Sequence, residues 1–204
     1  AMRLATSFAL LVALATAIRV RDLSLGGLWL DEGYSLLQSE RGLSDILALR
    51  RYDANPPLYL LLLHAWRALF GPSVRAAPAF SVAFGVAGVG LTWLVTRLRF
   101  GRVAALAAGL AVALSRFHVH YSQEIRGYAL LFALVAAMDL AWVRWEVRGR
   151  TRDLVAWTLA AIEAREHLEA LADLDEGRLW PRDQHDGGGA PAEQRLESLL
   201  RGAE

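Results

Sequence analysis

Four apolar stretches constrain this chain more than any other feature. They are residues 4–20, 76–96, 103–119 and 127–145. A helix crosses about 30 Å of hydrocarbon with roughly 20 mostly apolar residues. Residues 76–96 and 127–145 are long enough, 103–119 qualifies at the lower limit, and 4–20 is a short candidate. The mean hydropathy of +0.30 and the 55% hydrophobic content agree with a membrane chain. The expectation is an all-α, polytopic transmembrane fold of about four spans, densest in small residues in the middle two, as close helix packing in lipid favours. Ala15-Thr16-Ala17 also has the form of a signal-peptidase site, which leaves a cleaved leader as an alternative for the first run.

Residues 56–70 (PPLYLLLLHAWRALF) are shorter and carry His64 and Arg67. That length predicts an interfacial or re-entrant helix beginning at the Pro pair. Charge supplies the orientation. Arg97, Arg99 and Arg102, then Arg144, Arg148, Arg150 and Arg152, form the densest basic clusters, and both belong on the cytoplasmic side. The loop 21–75 and the segment SRFHVHYSQEIRGY then face outward, provided that 56–70 does not cross. Arg19 and Arg21 fall on the wrong side for this rule. The expected location is the inner (plasma) membrane, multi-pass, with an outward-facing site in contact with lipid.

The polar residues collect on that outward side: Asp31 and Glu32 in the first loop, Asn55 at its end, and His118, His120, Tyr121, Gln123, Glu124 and Arg126 at the second turn. The segments WLDEGYSLL, NPPLYLLLLHAWRALFG and SRFHVHYSQEIRGYALL, in this order and spacing, resemble the GT-C integral-membrane glycosyltransferases of bacteria. The group is the one that includes protein O-mannosyltransferases and aminoarabinose transferases. SVRAAPAFSVAFGVAGV and RLRFGRVAALAAGLAVALS add to the likeness, which covers about residues 4–160. Asn55 stands where many relatives have His or Lys, Arg116 where they have Pro, and Ile125-Arg126-Gly127-Tyr128 where they often have Ala-Arg-Met-Tyr.

The resemblance implies transfer of a sugar, with inversion, from a polyprenyl-phosphate donor to a hydroxyl of a protein, lipid or glycan acceptor. Phosphate leaves without a protonating acid, so one base suffices for the acceptor hydroxyl, and a cation should face the phosphate. The acidic pair matches the family's first loop. Asp31 is the expected base, with Glu32 as its neighbour or as ligand to a divalent cation, the one cofactor this scheme has room for. Arg126 is the expected phosphate contact, because guanidinium grips phosphate oxygens bidentately. Asn55, Tyr121, Gln123 and Glu124 complete the expected substrate-binding set. The plainer alternatives are that Asp31 is a helix N-cap with Glu32 in the first turn, and that Glu124 and Arg126 mark a helix start and a headgroup-level anchor. Trp29, Trp66, Trp93, Trp142 and Trp145 read as interfacial anchors. Asp139, inside a span but far from the outward end, reads as a packing or snorkelling residue.

Residues 1–161 hold 17 Arg against 10 acids, and residues 162–204 hold 5 Arg against 11. A fifth apolar run begins at Asp153 and gives way near Ala161 to IEAREHLEALADLDEG, with Leu168, Leu171 and Leu174 as a narrow stripe. A Gly- and Pro-rich loop and a second short helix, AEQRLESLLRG, follow. Two parts are therefore expected, 1–161 as the N-terminal part of a transmembrane transferase and 162–204 as a polar, acidic helical tail. The abrupt change predicts a truncated or frameshifted fragment whose activity would be lost. The second functional reading is a small non-catalytic membrane protein that binds a partner through its C-terminal helices. A transporter is disfavoured, since no charge relay or internal repeat is visible. The tail carries no phosphate loop, metal spacing or nucleic-acid patch, and no nucleic-acid partner is expected. Without cysteine, no disulfide or thiolate site exists.

Overall fold

The computed structural model describes residues 2–21, 23, 28–49, 57–71, 73 and 76–175, and within them the fold is all-α. The elements are α1 (Met2–Val20), α2 (Leu30–Ser39), α3 (Leu43–Leu49), α4 (Pro57–Phe70), α5 (Ala77–Leu114), α6 (Arg116–Gln123), α7 (Tyr128–Arg148) and α8 (Thr151–Asp175). The expected second tail helix, with Asn55 and the whole of the Gly- and Pro-rich loop, lies outside the described residues.

α5 is two legs joined at Gly101, whose φ of 86° and ψ of −170° suit a residue without a Cβ. Trp93 of the first leg, residues 77–100, lies close to Gly109 of the second, residues 102–114. The legs therefore fold back on one another. The Arg97–Arg102 cluster marks this turn, as expected. Ser115, extended and accepting a hydrogen bond from the His118 N–H, ends the second leg and starts α6. This break comes earlier than the expected span end at residue 119, because a Ser cap satisfies the new helix start better than continued helix would.

Gly149, in the left-handed conformation that closes α7, makes the second turn. α8 then packs back along α7. An Arg144–Asp153 ion pair of 3.6 Å and a Trp142–Trp157 ring contact of 5.7 Å mark its start, and His167 reaches Gly127 at the far end. α8 runs through residue 161 without a break. Composition changes there and the backbone does not, since a helix needs no apolar residue to continue its hydrogen-bond ladder. The first part of the polar tail thus packs within the molecule.

The four expected spans fall on α1, the two legs of α5, and α7, but the second leg ends at Leu114 and is, like α4, shorter than a bilayer core. By length and composition, α5 is apolar enough to cross a membrane, as is the bent pair α6 and α7, at 118°, taken as one span. α1 and α4 are shorter apolar helices. α4, with 14 residues, extends about 21 Å at 1.5 Å per residue, short of a bilayer core. It starts at Pro57 as expected. Val103, Leu106, Leu110 and Leu114 form an exposed apolar ridge on α5, and Leu154, Val155, Leu159 and Ile162 form another on α8. Water does not tolerate such contiguous ridges, whereas lipid does.

Two apolar clusters hold the bundle. One gathers Leu36, Ile46, Tyr59, Leu60, Leu63 and Phe80 beneath α2, α3 and α4. The other joins α1 to both legs of α5 through Leu11, Ala15, Val89 and Trp93. Trp93, expected at an interface, is buried against Phe8 at 4.9 Å, with Arg97 over its ring at 5.3 Å. Asp139 is exposed on α7.

Glycines let the helices approach closely. A Cβ on Gly85 would overlap the Ser122 hydroxyl and lie 2.5 Å from the Ser122 Cβ. Gly85→Ala is expected to destabilise by about 1–3 kcal/mol through overpacking. A thermal melt of the detergent-solubilised chain checks this, and an unchanged midpoint would count against the packing described.

Candidate active site at one end of the bundle

The Gly101 and Gly149 turns share one end of the bundle, where Arg99 bonds Glu146 at 2.8 Å. The candidate residues lie at the other end, where α1 finishes, α6 turns into α7, and α2 and α4 cover the helices.

α2 starts after Trp29, which is its N-cap; Asp31 does not cap it. Asp31 and Glu32 both fall in the first turn, where the helix dipole favours negative charge. Neighbouring residues on a helix point about 100° apart, and here the two acids separate completely. Glu32 is buried. Its Oε2 accepts the Trp29 N–H at 3.0 Å and its Oε1 accepts the Ile125 N–H at 2.9 Å. The Asp31 side chain is 72% exposed, with Oδ2 3.8 Å from Arg126 Nη1.

The segment 124–128, between α6 and α7, supplies the opposite wall. The Arg126 guanidinium is nearly buried, and it also stands 5.8 Å over the Tyr128 ring. Tyr128 meets Tyr121 edge-on at 4.8 Å, and Tyr121 also packs against Phe117 and His120. Glu124 Oε1 lies 3.0 Å from His120 Nε2. Burial pushes the Glu124 carboxyl up; His120 opposes this, and Glu32 adds to it. One group thus unites Asp31, Glu124, Arg126 and Tyr121, with Glu32 behind it. Tyr128 belongs with them and was missed. Its signal was the Tyr that Ile125-Arg126-Gly127-Tyr128 shares with the Ala-Arg-Met-Tyr common among relatives.

Gln123 is turned elsewhere. Its Nε2 donates to the carbonyls of Arg19 and Arg21, at 3.0 Å each, and so closes the end of α1. Arg19, out of place by the charge rule, is fully buried. It donates to Ala15 O, Ala113 O and Val112 O, to Ser122 Oγ, and at 2.7 Å to His118 Nδ1. The last carbonyls of α5 have no helical partner, and a guanidinium suits both them and the negative end of the dipole. Arg19 therefore acts as a helix cap and is not a charge left on the outer surface.

Arg67 has a similar role at the end of α2. It bonds Leu36 O, Ser39 Oγ and Glu40, each at 2.8 Å, while His64 Nδ1 meets Ser39 O. Among the described residues, no three His, Asp or Glu side chains are grouped as metal ligands would be.

A search of curated proteins finds no match, and a search of solved structures finds none. A family model described as dolichyl-phosphate-mannose-protein mannosyltransferase matches residues 54–162, just over half of the chain. That stretch includes α4 through α7, and with them the Tyr121–Tyr128 wall of the group. The membrane-embedded glycosyltransferase character expected from the sequence motifs thus rests on an independent match, and the chain belongs to the dolichyl-phosphate-mannose-protein mannosyltransferase family.

Proposed function

We propose that this end of the bundle carries transfer of a sugar from a polyprenyl-phosphate carrier to a hydroxyl acceptor. The observation that supports it most is the convergence of an open carboxylate, Asp31, with a nearly buried guanidinium, Arg126, 3.8 Å away. Asp31 is the base that takes the acceptor's proton as its oxygen attacks the anomeric carbon. The bond to the phosphate breaks on the opposite face, the configuration inverts, and the electron pair leaves on phosphate oxygen. Arg126 holds that phosphate, with Tyr121, Tyr128 and Glu124 shaping the wall beside it. Asn55 is a further contact in this reading.

The site faces outward in this proposal. Arg97, Arg99, Arg102, Arg144 and Arg148 cluster about the opposite turns, and basic residues favour the cytoplasmic side. The site then meets a lipid-borne donor in the membrane and an acceptor in the water outside it.

The test supplies membranes containing the chain with radiolabelled dolichyl-phosphate mannose and follows label into protein. Transfer by the wild type is the result this reading expects, and it would set aside the inactive fragment expected from the sequence. Arg126→Lys keeps the charge but loses the bidentate fork, and should lower transfer about tenfold or more. A wild type that moves no label would overturn the reading of this chain as a working transferase.

A further inference from the structure

Two adjacent acids in one loop suggest two chemical roles, and their surroundings give them different ones. Both Glu32 oxygens are engaged by backbone N–H groups, those of Trp29 and of Ile125. The first bond closes the start of α2, the helix that carries Asp31. The second crosses 93 residues of sequence to a backbone position flanked by Glu124 and Arg126. Glu32 is also buried, and so is Ile125. One carboxylate thus joins the two segments whose side chains make the group, one residue away from Asp31 on one side and from Arg126 on the other.

We infer that Glu32 is the positioning residue of this site, a brace that sets the Asp31-to-Arg126 spacing through the Ile125 amide, and not a base or a cation ligand. The inference rests on the transfer reading for its kinetic consequence, but its structural half stands apart from it. A carboxylate is suited to the task because it accepts two N–H donors at once and charge strengthens both bonds. Gln offers one carbonyl oxygen and turns an NH2 toward a second donor, so one bond survives: the local one to the Trp29 N–H three residues away, at the expense of the Ile125 N–H across 93 residues. Asp keeps both oxygens and the charge but is one methylene too short to span both donors.

The experiment uses the full chain in detergent and two readouts. Hydrogen exchange at the Ile125 amide is measured in wild type, Glu32→Gln, Glu32→Asp and Asp31→Asn. Turnover of dolichyl-phosphate mannose is then measured per folded molecule, with and without added Mg²⁺ or Mn²⁺. Both Glu32 variants should release the Ile125 amide at least tenfold, and Asp31→Asn should leave it protected. Misplacing a phosphate contact by about an ångström costs roughly 100-fold. The variants should therefore lose about 10- to 100-fold in kcat, with the donor KM nearly unchanged and no rescue by metal. A general loss of stability would change the amount of folded protein and not this split.

An Ile125 amide as protected in Glu32→Gln as in wild type would overturn the brace. Activity restored by added cation would also overturn it, and make Glu32 a metal ligand. So would an unchanged kcat with the amide released. A wild type that moves no label, with the amide released only in the Glu32 variants, would uphold the brace and sink the transfer reading.

Discussion

Asp31→Asn is expected to lower sugar transfer by about 10²- to 10⁴-fold, the usual contribution of a positioned general base. The substitution keeps shape and removes the lone pair that would take the acceptor's proton. Its effect on folding should be small, because the Asp31 side chain is mostly exposed and makes one long contact, 3.8 Å, to Arg126. Transfer of label from dolichyl-phosphate mannose, compared at equal amounts of folded protein, measures it. Retention of more than a tenth of wild-type activity would move the base elsewhere. Glu124 is then the carboxyl to replace, since it shares the wall with Arg126 and burial pushes it up from the usual carboxylate value. Loss of activity in Glu124→Gln with retention in Asp31→Asn would settle that exchange of roles.

The largest effect on stability should come from Arg19→Leu. The guanidinium holds three backbone carbonyls, a hydroxyl and an imidazole nitrogen within a fully buried site. Leu fills part of the volume and makes none of these bonds. The Ala113 carbonyl lies at the end of α5, and a buried acceptor left bare costs about 1–3 kcal/mol, whereas Val112 O keeps the Ser115 N–H. With the bonds to Ser122 Oγ and His118 Nδ1 also lost, the sum is about 3–5 kcal/mol. For a chain of this length that lowers the melting midpoint by roughly 6–20 °C. Fluorescence-detected gel filtration after heating gives the midpoint in crude detergent extract. A shift under about 2 °C would mean that Arg19 reaches solvent and that its bonds to α5 and α6 are not those described.

Arg19 also shows where sequence reading stopped. The apolar runs, the Arg-marked turns and the Pro57 helix start were visible because each depends on neighbours in sequence. The partners of Arg19 lie about a hundred residues on, so in sequence it read only as an exception to a charge rule. The same holds for Gly85, whose lack of a Cβ matters only beside Ser122. The acidic pair was legible as a pair, and the preference for Asp31 came from resemblance. What separates Asp31 from Glu32 is the phase of α2 relative to Ile125, a tertiary fact. Residues 151–175 form one helix across the change of polarity near 161, a continuity that composition does not disclose.

The bonds of Arg19 carry a consequence for biosynthesis. Arg19 is translated well before its partners at 112–122. At roughly 5–20 residues per second the interval is about 5–20 s. During that time the C-terminal end of α1 holds a guanidinium with only its own Ala15 carbonyl to bond. That end must wait in water or in the insertion channel until α5 has turned back at Gly101 and delivered its last carbonyls. α1 is thus locked only after α5 and the start of α6 have followed it, and the hairpin at Gly101 sets the moment.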